Sequence, residues 1–206
     1  MRSDSSRRHE TKRRAYSSRS AIRPIRGPAP WQIISSSQQH TDRLGQAIGQ
    51  NLQGGETIAL YGPLGAGKTA LVRGIVQGLG VETTAVSSPT FVMIHEYQGR
   101  LPLAHVDLYR VRSQRDLDST GLLDYLSGAT VTAVEWADKG ASVLPSDRLE
   151  IDLSHRAARV RAIRLRATGP MSARLLAQAK RCLGNGRAKK ASARQPAPAR
   201  KGPARL

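Results

Sequence analysis

The chain has 206 residues, and its 33 lysines and arginines against 15 aspartates and glutamates give a formal net charge of +18. Its single cysteine excludes an intramolecular disulfide and a multi-cysteine zinc site. No apolar run approaches the roughly 20 residues of a membrane span, and residues 1–30 lack the apolar segment of a secretory signal. We therefore expect a soluble cytoplasmic protein, and its charge favours a polyanion such as nucleic acid as a partner.

The positive charge is concentrated at the two ends of the chain. Residues 1–30 hold nine basic and two acidic side chains, and residues 155–206 hold fifteen basic and no acidic ones. The middle, 31–154, is mildly acidic and contains seven of the eight aromatic residues. Segments with few aromatic or β-branched residues cannot offset the entropy lost on ordering. We therefore predict disordered basic tails at 1–30 and 185–206 around one domain at 31–184.

The N-terminal tail has two interpretations. Its richness in arginine and serine is typical of an organelle transit peptide. A start codon placed upstream in a GC-rich bacterial gene would produce the same composition. We favour the second interpretation because Asp4 and Glu10 are unusual in a transit peptide.

The predicted elements alternate between short strands and amphipathic helices. In chain order they are a strand at 31–35, a helix at 37–52, a strand at 57–61, a helix at 67–79, strands at 91–97 and 103–108, a helix at 118–126, strands at 130–136, 149–153 and 159–166, and a helix at 171–183. The arginines of the last strand are spaced to pair with Glu150 and Asp152. This alternation predicts an α/β fold with a mixed β-sheet flanked by helices.

A complete phosphate-binding loop, G-x-x-x-x-G-K-[ST], occupies residues 62–69 between an apolar strand and an amphipathic helix. Its glycines let backbone N–H groups face phosphate oxygens, and the helix N-terminus adds partial positive charge. Lys68 would reach the β- and γ-phosphates, and the Thr69 hydroxyl would bind Mg²⁺. The residues expected to contact a nucleotide here are Leu64, Gly65, Ala66, Gly67, Lys68 and Thr69.

Two carboxylates near the ends of apolar strands are candidates for metal and water chemistry. Glu135 follows the apolar stretch 130–134, and Asp107 lies in the next such strand upstream. A buried carboxylate is costly unless it meets a cation. At the end of a strand beside a phosphate loop, it can hold Mg²⁺ and polarise a water. The alternative is that these carboxylates only pair with arginines such as Arg110.

Thr90 and His105 are candidates for a switch near the γ-phosphate. Thr90 follows Ser88-Pro89 and could act as a switch-loop hydroxyl, or it could simply begin a strand. His105 shares a strand face with Asp107. For His105 we favour a hydrogen-bonded structural histidine over a catalytic base.

Together these motifs closely resemble those of the bacterial TsaE (YjeE-type) ATPase family. The matching segments are Leu60–Thr69, Arg73-Gly74, Val86–Phe91, His105–Arg110 and Val134-Glu135-Trp136. The resemblance covers about residues 31–168 and implies a P-loop NTPase-like fold with Mg²⁺-dependent ATP hydrolysis. It also implies action on the TsaD–TsaB complex, and through it on tRNA, to make threonylcarbamoyladenosine.

The resemblance also implies roles for single residues. The loop 64–69 would hold the phosphates, Thr69 and Glu135 the metal, and Asp107 would lie at the γ-phosphate end. Lys68, Asp107 and Glu135 are thus the catalytic candidates. An arginine of the last hairpin, for which Arg159 is the first choice, would approach the nucleotide. The long basic ends depart from the compact family pattern, so the resemblance implies nothing about them.

Two other classes of function stay open at this stage. One is a nucleic-acid-binding P-loop protein in which the basic ends supply affinity, which salt-dependent RNA binding would indicate. The other is a small-molecule kinase, which usually needs an added lid to exclude water. Between the phosphate loop and residue 168 the predicted sheet uses up the chain. The sequence therefore favours an ATPase with weak activity alone that partner proteins stimulate.

Overall fold

A computed structural model describes residues 29–82, 88–90 and 93–192, with only the backbone of 185–192. The strands are β1 Trp31–Ser35, β2 Thr57–Tyr61, β3 Ile94–Gln98, β4 Pro102–Asp107, β5 Val131–Glu135, β6 Leu149–Ala157 and β7 Val160–Ala167. The helices are α1 Gln38–Gly49, α2 Lys68–Gly78, α3 Gln114–Asp118, α4 Leu122–Tyr125 and α5 Pro170–Ser192, with a 3₁₀ helix at Ala137–Gly140. Within these ranges, no helix has both the length and the apolar character that crossing a bilayer requires.

The strands of the described residues form one mixed sheet in the order β1-β7-β6-β2-β5-β4-β3. The four central strands β6, β2, β5 and β4 run parallel, and β7, β1 and β3 pair antiparallel with their neighbours. Leu60 pairs with Glu135, and Glu135 pairs with Asp107. The carboxyl ends of β2, β5 and β4 therefore meet at one edge of the sheet. This arrangement confirms the predicted P-loop NTPase-like α/β fold.

Apolar side chains cover both faces of the sheet. Ile58 and Leu60 of β2 belong to the larger cluster, which lies under α1, α2 and α5. Ala59, between them, belongs to a smaller cluster on the opposite face with Val106 and Leu122. Since β2 is buried on both faces, it is a continuous apolar run without alternation, as expected for a central parallel strand.

Helices α1 and α2 approach each other through glycine. A Cβ built on Gly45 would lie 2.8 Å from the Cα of Gly74, and one on Gly78 would lie 2.8 Å from the Cα of Gly49. Real Cβ atoms essentially never come within 3.0 Å of another heavy atom. The two helix backbones can therefore pack at this distance only without side chains at the contact. This packing fixes α2, and with it the phosphate loop that precedes α2.

Arginines of the last hairpin pair across the strands, as the spacing predicted. A nitrogen of Arg164 lies 3.0 Å from the Asp152 carboxylate, and Nε of Arg166 lies 3.0 Å from the Glu150 carboxylate. Arg148 joins them at 2.7 Å from Glu150. Such partly exposed pairs typically contribute about 0–1 kcal/mol each. These pairs therefore add little to the stability of the fold.

Several boundaries differ from those predicted. The helix predicted at 118–126 is two short helices, because a capping box between Ser113 and Asp116 starts α3 early and Gly121, at a φ of 73°, separates α4 from it. Strand β6 continues past 153 to Ala157, and α5 continues past 184 to Ser192. Residues 1–28 and 193–206, which hold most of the predicted tails, lie outside the described residues, as do Phe91 and Val92.

Candidate nucleotide site

The phosphate loop forms the connection between β2 and α2. Gly62, Gly65 and Gly67 have φ angles of 132°, 73° and 105°, which side-chain-bearing residues rarely adopt. At Gly62 a Cβ would also overlap the carbonyl oxygen of Leu153 in β6. Gly67 is the N-cap of α2 and makes no side-chain cap. The first N–H groups of the helix therefore stay available to an anion.

This loop is one wall of a cavity of about 390 Å³. The cavity is lined by Leu64, Gly65, Ala66, Gly67, Lys68, Thr69, Ser88, Thr90, Asp107, Tyr109, Glu135 and Trp136. The structure thus gathers the predicted loop residues, Thr90, Asp107 and Glu135 around one space. Two predicted residues do not line it, since His105 lies behind Glu135 and Arg159 lies in the turn between β6 and β7. The volume falls in the range of small-molecule sites.

Thr69 and Glu135 meet where α2 begins and β5 ends. The Thr69 hydroxyl donates to Oε1 of Glu135 at 2.7 Å, and Nε2 of His105 lies 2.8 Å from the same oxygen. Glu135 is only 3% exposed. These two hydrogen bonds offset the cost of burying its carboxylate.

The donor set of Thr69 and Glu135 fits Mg²⁺. Because the Thr69 hydroxyl gives its hydrogen to Glu135, its oxygen lone pairs stay available to a cation. Mg²⁺ prefers hard oxygen ligands and usually takes one or two from the protein, with substrate phosphates and waters as the rest. The described residues contain no group of three or more His, Cys, Asp or Glu able to hold a metal.

Lys68 folds back against its own loop. Its Nζ donates to the carbonyl oxygens of Gly62 at 2.7 Å and Pro63 at 3.0 Å, and it lies 3.8 Å from the ring centroid of Trp136. Both contacts satisfy an ammonium group, through hydrogen bonds and through a cation–π interaction. Phosphate oxygens would bind the same ammonium more strongly, because they carry full negative charge.

The environment of Lys68 disfavours its charge. Desolvation by burial lowers the pKa of Lys68, although the negative charges of Glu135, Asp107 and Asp138 act in the opposite direction. Without a nucleotide, these carboxylates balance only part of the desolvation. A bound phosphate would add the missing negative charge, so ligand binding and the charged form of Lys68 favour each other.

Two aromatic rings form the side of the cavity next to Lys68. Tyr109 and Trp136 have ring centroids 5.1 Å apart. Trp136 has a φ of 57°, which is a genuine outlier for a bulky residue, and it immediately follows Glu135. Neither aromatic is among the site residues predicted from the sequence. The signal available for Trp136 is its position directly after the predicted metal ligand.

Asp107 holds the short segment Ser88-Pro89-Thr90 beside the cavity. Its Oδ2 accepts hydrogen bonds from the hydroxyls of Ser88 at 2.8 Å and Thr90 at 2.6 Å, and its Oδ1 accepts the N–H of Tyr109 at 2.9 Å. Ser88 and Thr90 both line the cavity. Thr90 therefore lies beside Asp107, and its role as a switch residue stays a prediction.

An arginine of the β6–β7 hairpin does reach the loop, and it is Arg161. Its Nε donates to the carbonyl of Ala66 at 3.2 Å and its Nη2 to that of Gly65 at 3.5 Å. Arg161 pairs in register with His155, whose Nε2 lies 3.4 Å from the carbonyl of Leu64. Because β6 extends to Ala157, the turn that carries Arg159 lies beyond the loop, and Arg159 is exposed.

The fold and this site define a nucleotide-binding protein of the P-loop NTPase class. A family model described as threonylcarbamoyl adenosine biosynthesis protein TsaE matches residues 35–163. The chain therefore belongs to the TsaE family, which confirms the resemblance inferred from its motifs. The family's role is in tRNA threonylcarbamoyladenosine biosynthesis, and the general chemistry of its P-loop fold is nucleotide hydrolysis.

Individual relatives agree with this assignment. The tRNA threonylcarbamoyladenosine biosynthesis protein TsaE of Treponema pallidum is 39% identical over 120 residues, which are 58% of this chain and 88% of that one. The protein of the same name from Bacillus subtilis is 41% identical over 116 residues, which are 56% and 72% of the two chains. The crystal structure of Bacillus subtilis YdiB matches with a TM-score of 0.64 and 31% identity, covering 74% of this chain and 95% of that one.

Proposed function

We propose that this protein is a Mg²⁺-dependent ATPase that acts on the TsaD–TsaB complex in the threonylcarbamoyladenosine modification of cytoplasmic tRNA. The observation that carries the proposal is the convergence of Lys68, Thr69, Asp107 and Glu135 on one cavity beside the uncapped start of α2. Membership of the TsaE family supports the pathway, and the resemblance of the motifs supports the partners. In this proposal the protein reaches tRNA through the complex.

The first step is capture of the triphosphate. The backbone N–H groups of the loop and of the start of α2 donate hydrogen bonds to its oxygens. Lys68 exchanges the carbonyls of Gly62 and Pro63 for phosphate oxygens, and Trp136 keeps water from the ammonium on one side. Arg161 holds the carbonyls of Gly65 and Ala66, which keeps the loop's N–H groups turned toward the cavity.

Thr69 and Glu135 would hold the metal. Mg²⁺ bound there would neutralise charge on the β- and γ-phosphate oxygens. Since Glu135 is assigned to the metal, Asp107 is the carboxylate of the cavity that would orient a water. Asp107 would do so once the hydroxyls of Ser88 and Thr90 turn from its carboxylate toward phosphate, since both now donate to Oδ2.

The rim of the cavity supports weak activity in isolation. Leu64 is 74% exposed and Tyr109 is 46% exposed, although both are large and apolar. With such a rim open, bulk water reaches the site and weakens the electrostatic interactions inside it. A partner that covers these side chains would exclude the water and raise turnover.

The test is phosphate release from ATP by the purified protein, with and without TsaD–TsaB. We expect slow release alone and a clear increase with the partners. Lys68→Ala should lower turnover by about 10²–10³-fold, as loss of one transition-state donor typically does. The matched control is Lys180→Ala, because Lys180 lies over Trp31 of β1 and does not line the cavity.

Two outcomes would contradict the proposal. Wild-type turnover in Lys68→Ala would show that the cavity is not the site of hydrolysis. An absence of stimulation by TsaD–TsaB would contradict the partner role while leaving the ATPase site intact.

A further inference from the structure

His105 lies in β4 directly behind Glu135, on the side away from the cavity. Its side chain is completely buried. Nε2 is 2.8 Å from Oε1 of Glu135, and Nδ1 is buried with no hydrogen-bond partner in the described part of the chain. In register, His105 faces Ala133 of β5, whose small side chain leaves the imidazole room to reach Glu135 two residues further on.

These contacts decide which ring nitrogen carries the proton. A carboxylate oxygen accepts, so the nitrogen beside Glu135 has to donate. A hydrogen on Nδ1 would be a buried donor without an acceptor, which proteins rarely tolerate. The arrangement therefore favours the tautomer with its hydrogen on Nε2 and none on Nδ1.

Thr69 and His105 converge on the same carboxylate oxygen from two sides. Both bonds end on Oε1 of Glu135, at 2.7 and 2.8 Å. Among the described residues no hydrogen bond to Oε2 accompanies them, and Glu135 lines the cavity. Two donors on one oxygen fix the plane of the carboxylate, which leaves the second oxygen for a ligand in the cavity.

We propose that His105 is a positioning residue that orients Glu135 for metal binding. The inference rests on the proposed function, since it assigns the fixed carboxylate to Mg²⁺. Packing alone does not account for a histidine here. Leu103, two residues earlier on the same face of β4, is buried in the core with a purely apolar side chain. Groups that orient a metal ligand from behind typically change metal affinity or activity by about 10–100-fold when they are lost.

The first experiment compares His105→Leu with His105→Gln, whose amide N–H restores a donor. The readouts are thermal unfolding, the binding of a fluorescent ATP analogue without Mg²⁺, and the Mg²⁺ concentration that gives half of the metal-dependent change in that binding. For His105→Leu we expect metal-free binding within about twofold of wild type and a metal requirement raised by about 10–100-fold. His105→Gln should recover most of the loss.

The matched control is His95→Leu. His95 pairs with His105 in register on β3 and is half-buried, whereas the described side-chain hydrogen bonds to Glu135 come from Thr69 and His105. We expect its metal requirement to equal that of the wild type. A folded His105→Leu variant with the wild-type metal requirement would overturn the inference.

A second measurement needs no variant. The ¹⁵N chemical shifts of the wild-type imidazoles report which nitrogen is protonated, and a hydrogen on Nε2 of His105 is expected. A hydrogen on Nδ1 would overturn the inference even if neither His105 variant folds. If Mg²⁺ does not change nucleotide binding by the wild type, the proposed function fails together with this inference. If Mg²⁺ does change it, and His105→Leu shows the same Mg²⁺ dependence, only this inference is overturned.

Discussion

The Gly62→Ala substitution tests whether contact with β6 fixes the phosphate loop. Gly62 has a φ of 132°, and a Cβ there would overlap the carbonyl oxygen of Leu153, well inside the 3.0 Å that real Cβ atoms keep. That oxygen belongs to a strand paired on both sides, with β2 and with β7. It cannot swing aside as a flexible side chain would, so the loop itself would have to move.

Gly62→Ala combines two costs in stability, backbone strain at a positive φ and steric overlap with β6. Gly80→Ala has only the first cost and therefore serves as the control. A side chain at positive φ costs about 1–2 kcal/mol, and overpacking against a neighbour that cannot yield typically costs about 1–3 kcal/mol more. Gly80 has a φ of 85°, but nothing lies within 4 Å of its Cβ. We therefore expect the free energy of unfolding to fall by about 2–5 kcal/mol in Gly62→Ala and by about 1–2 kcal/mol in Gly80→Ala.

Urea unfolding followed by circular dichroism measures both variants under the same conditions. Binding of a fluorescent ATP analogue then reports on the loop. We expect Gly62→Ala to lose nucleotide affinity, because its N–H groups shift away from the phosphates, and Gly80→Ala to keep it. If Gly62→Ala is no less stable than Gly80→Ala, or binds nucleotide as the wild type does, contact with β6 does not fix the loop.

Three further predictions follow from other parts of the molecule. Arg161→Met should weaken nucleotide binding by about tenfold in calorimetric titration, since it removes charged hydrogen bonds to the loop. The control Arg159→Met should leave binding unchanged. Equal losses of affinity in the two variants would contradict the assignment of Arg161 as the arginine that supports the loop. Burial raises the pKa of Asp147, but hydrogen bonds from the start of α5 lower it by more, so the pKa lies below its usual value. The stability this carboxylate contributes is present above about pH 4 and is lost as pH falls through its folded pKa. In urea unfolding at decreasing pH, the free energy of unfolding should therefore fall less in Asp147→Asn than in the wild type. Parallel dependence on pH in the two proteins would contradict this role of Asp147. Removing 1–28 and 193–206 should weaken RNA binding at low salt and flatten its salt dependence; an unchanged slope would show that these segments do not contact RNA.

Much of the site is local in sequence and could be predicted for that reason. The loop 62–69 is one continuous segment between a strand and a helix, so its motif specifies both its backbone and its ligand. Asp107 and Glu135 are each the last residue of a buried parallel strand. Because the carboxyl ends of neighbouring parallel strands meet at one edge, polar residues at those positions could be expected beside the loop.

Residues whose contacts depend on strand register or on an unusual backbone angle could not be assigned from local sequence. Arg159 and Arg161 have the same chemistry two positions apart, and only the length of β6 decides which of them faces the loop. His105 could be placed on a strand face, but its contact with Glu135 depends on the pairing of β4 with β5. Trp136 reaches Lys68 only through a left-handed backbone angle.

Local sequence patterns were enough to predict the α/β class, the central apolar strands, the phosphate loop and the two carboxylates. Each of these follows from a periodicity or a motif contained within one segment. Local patterns did not predict that glycines bring α1 and α2 together, that Arg161 faces the loop or that His105 lies behind Glu135. These features depend on distances between segments far apart in the chain, and strand register and helix packing set those distances after the local structure has formed.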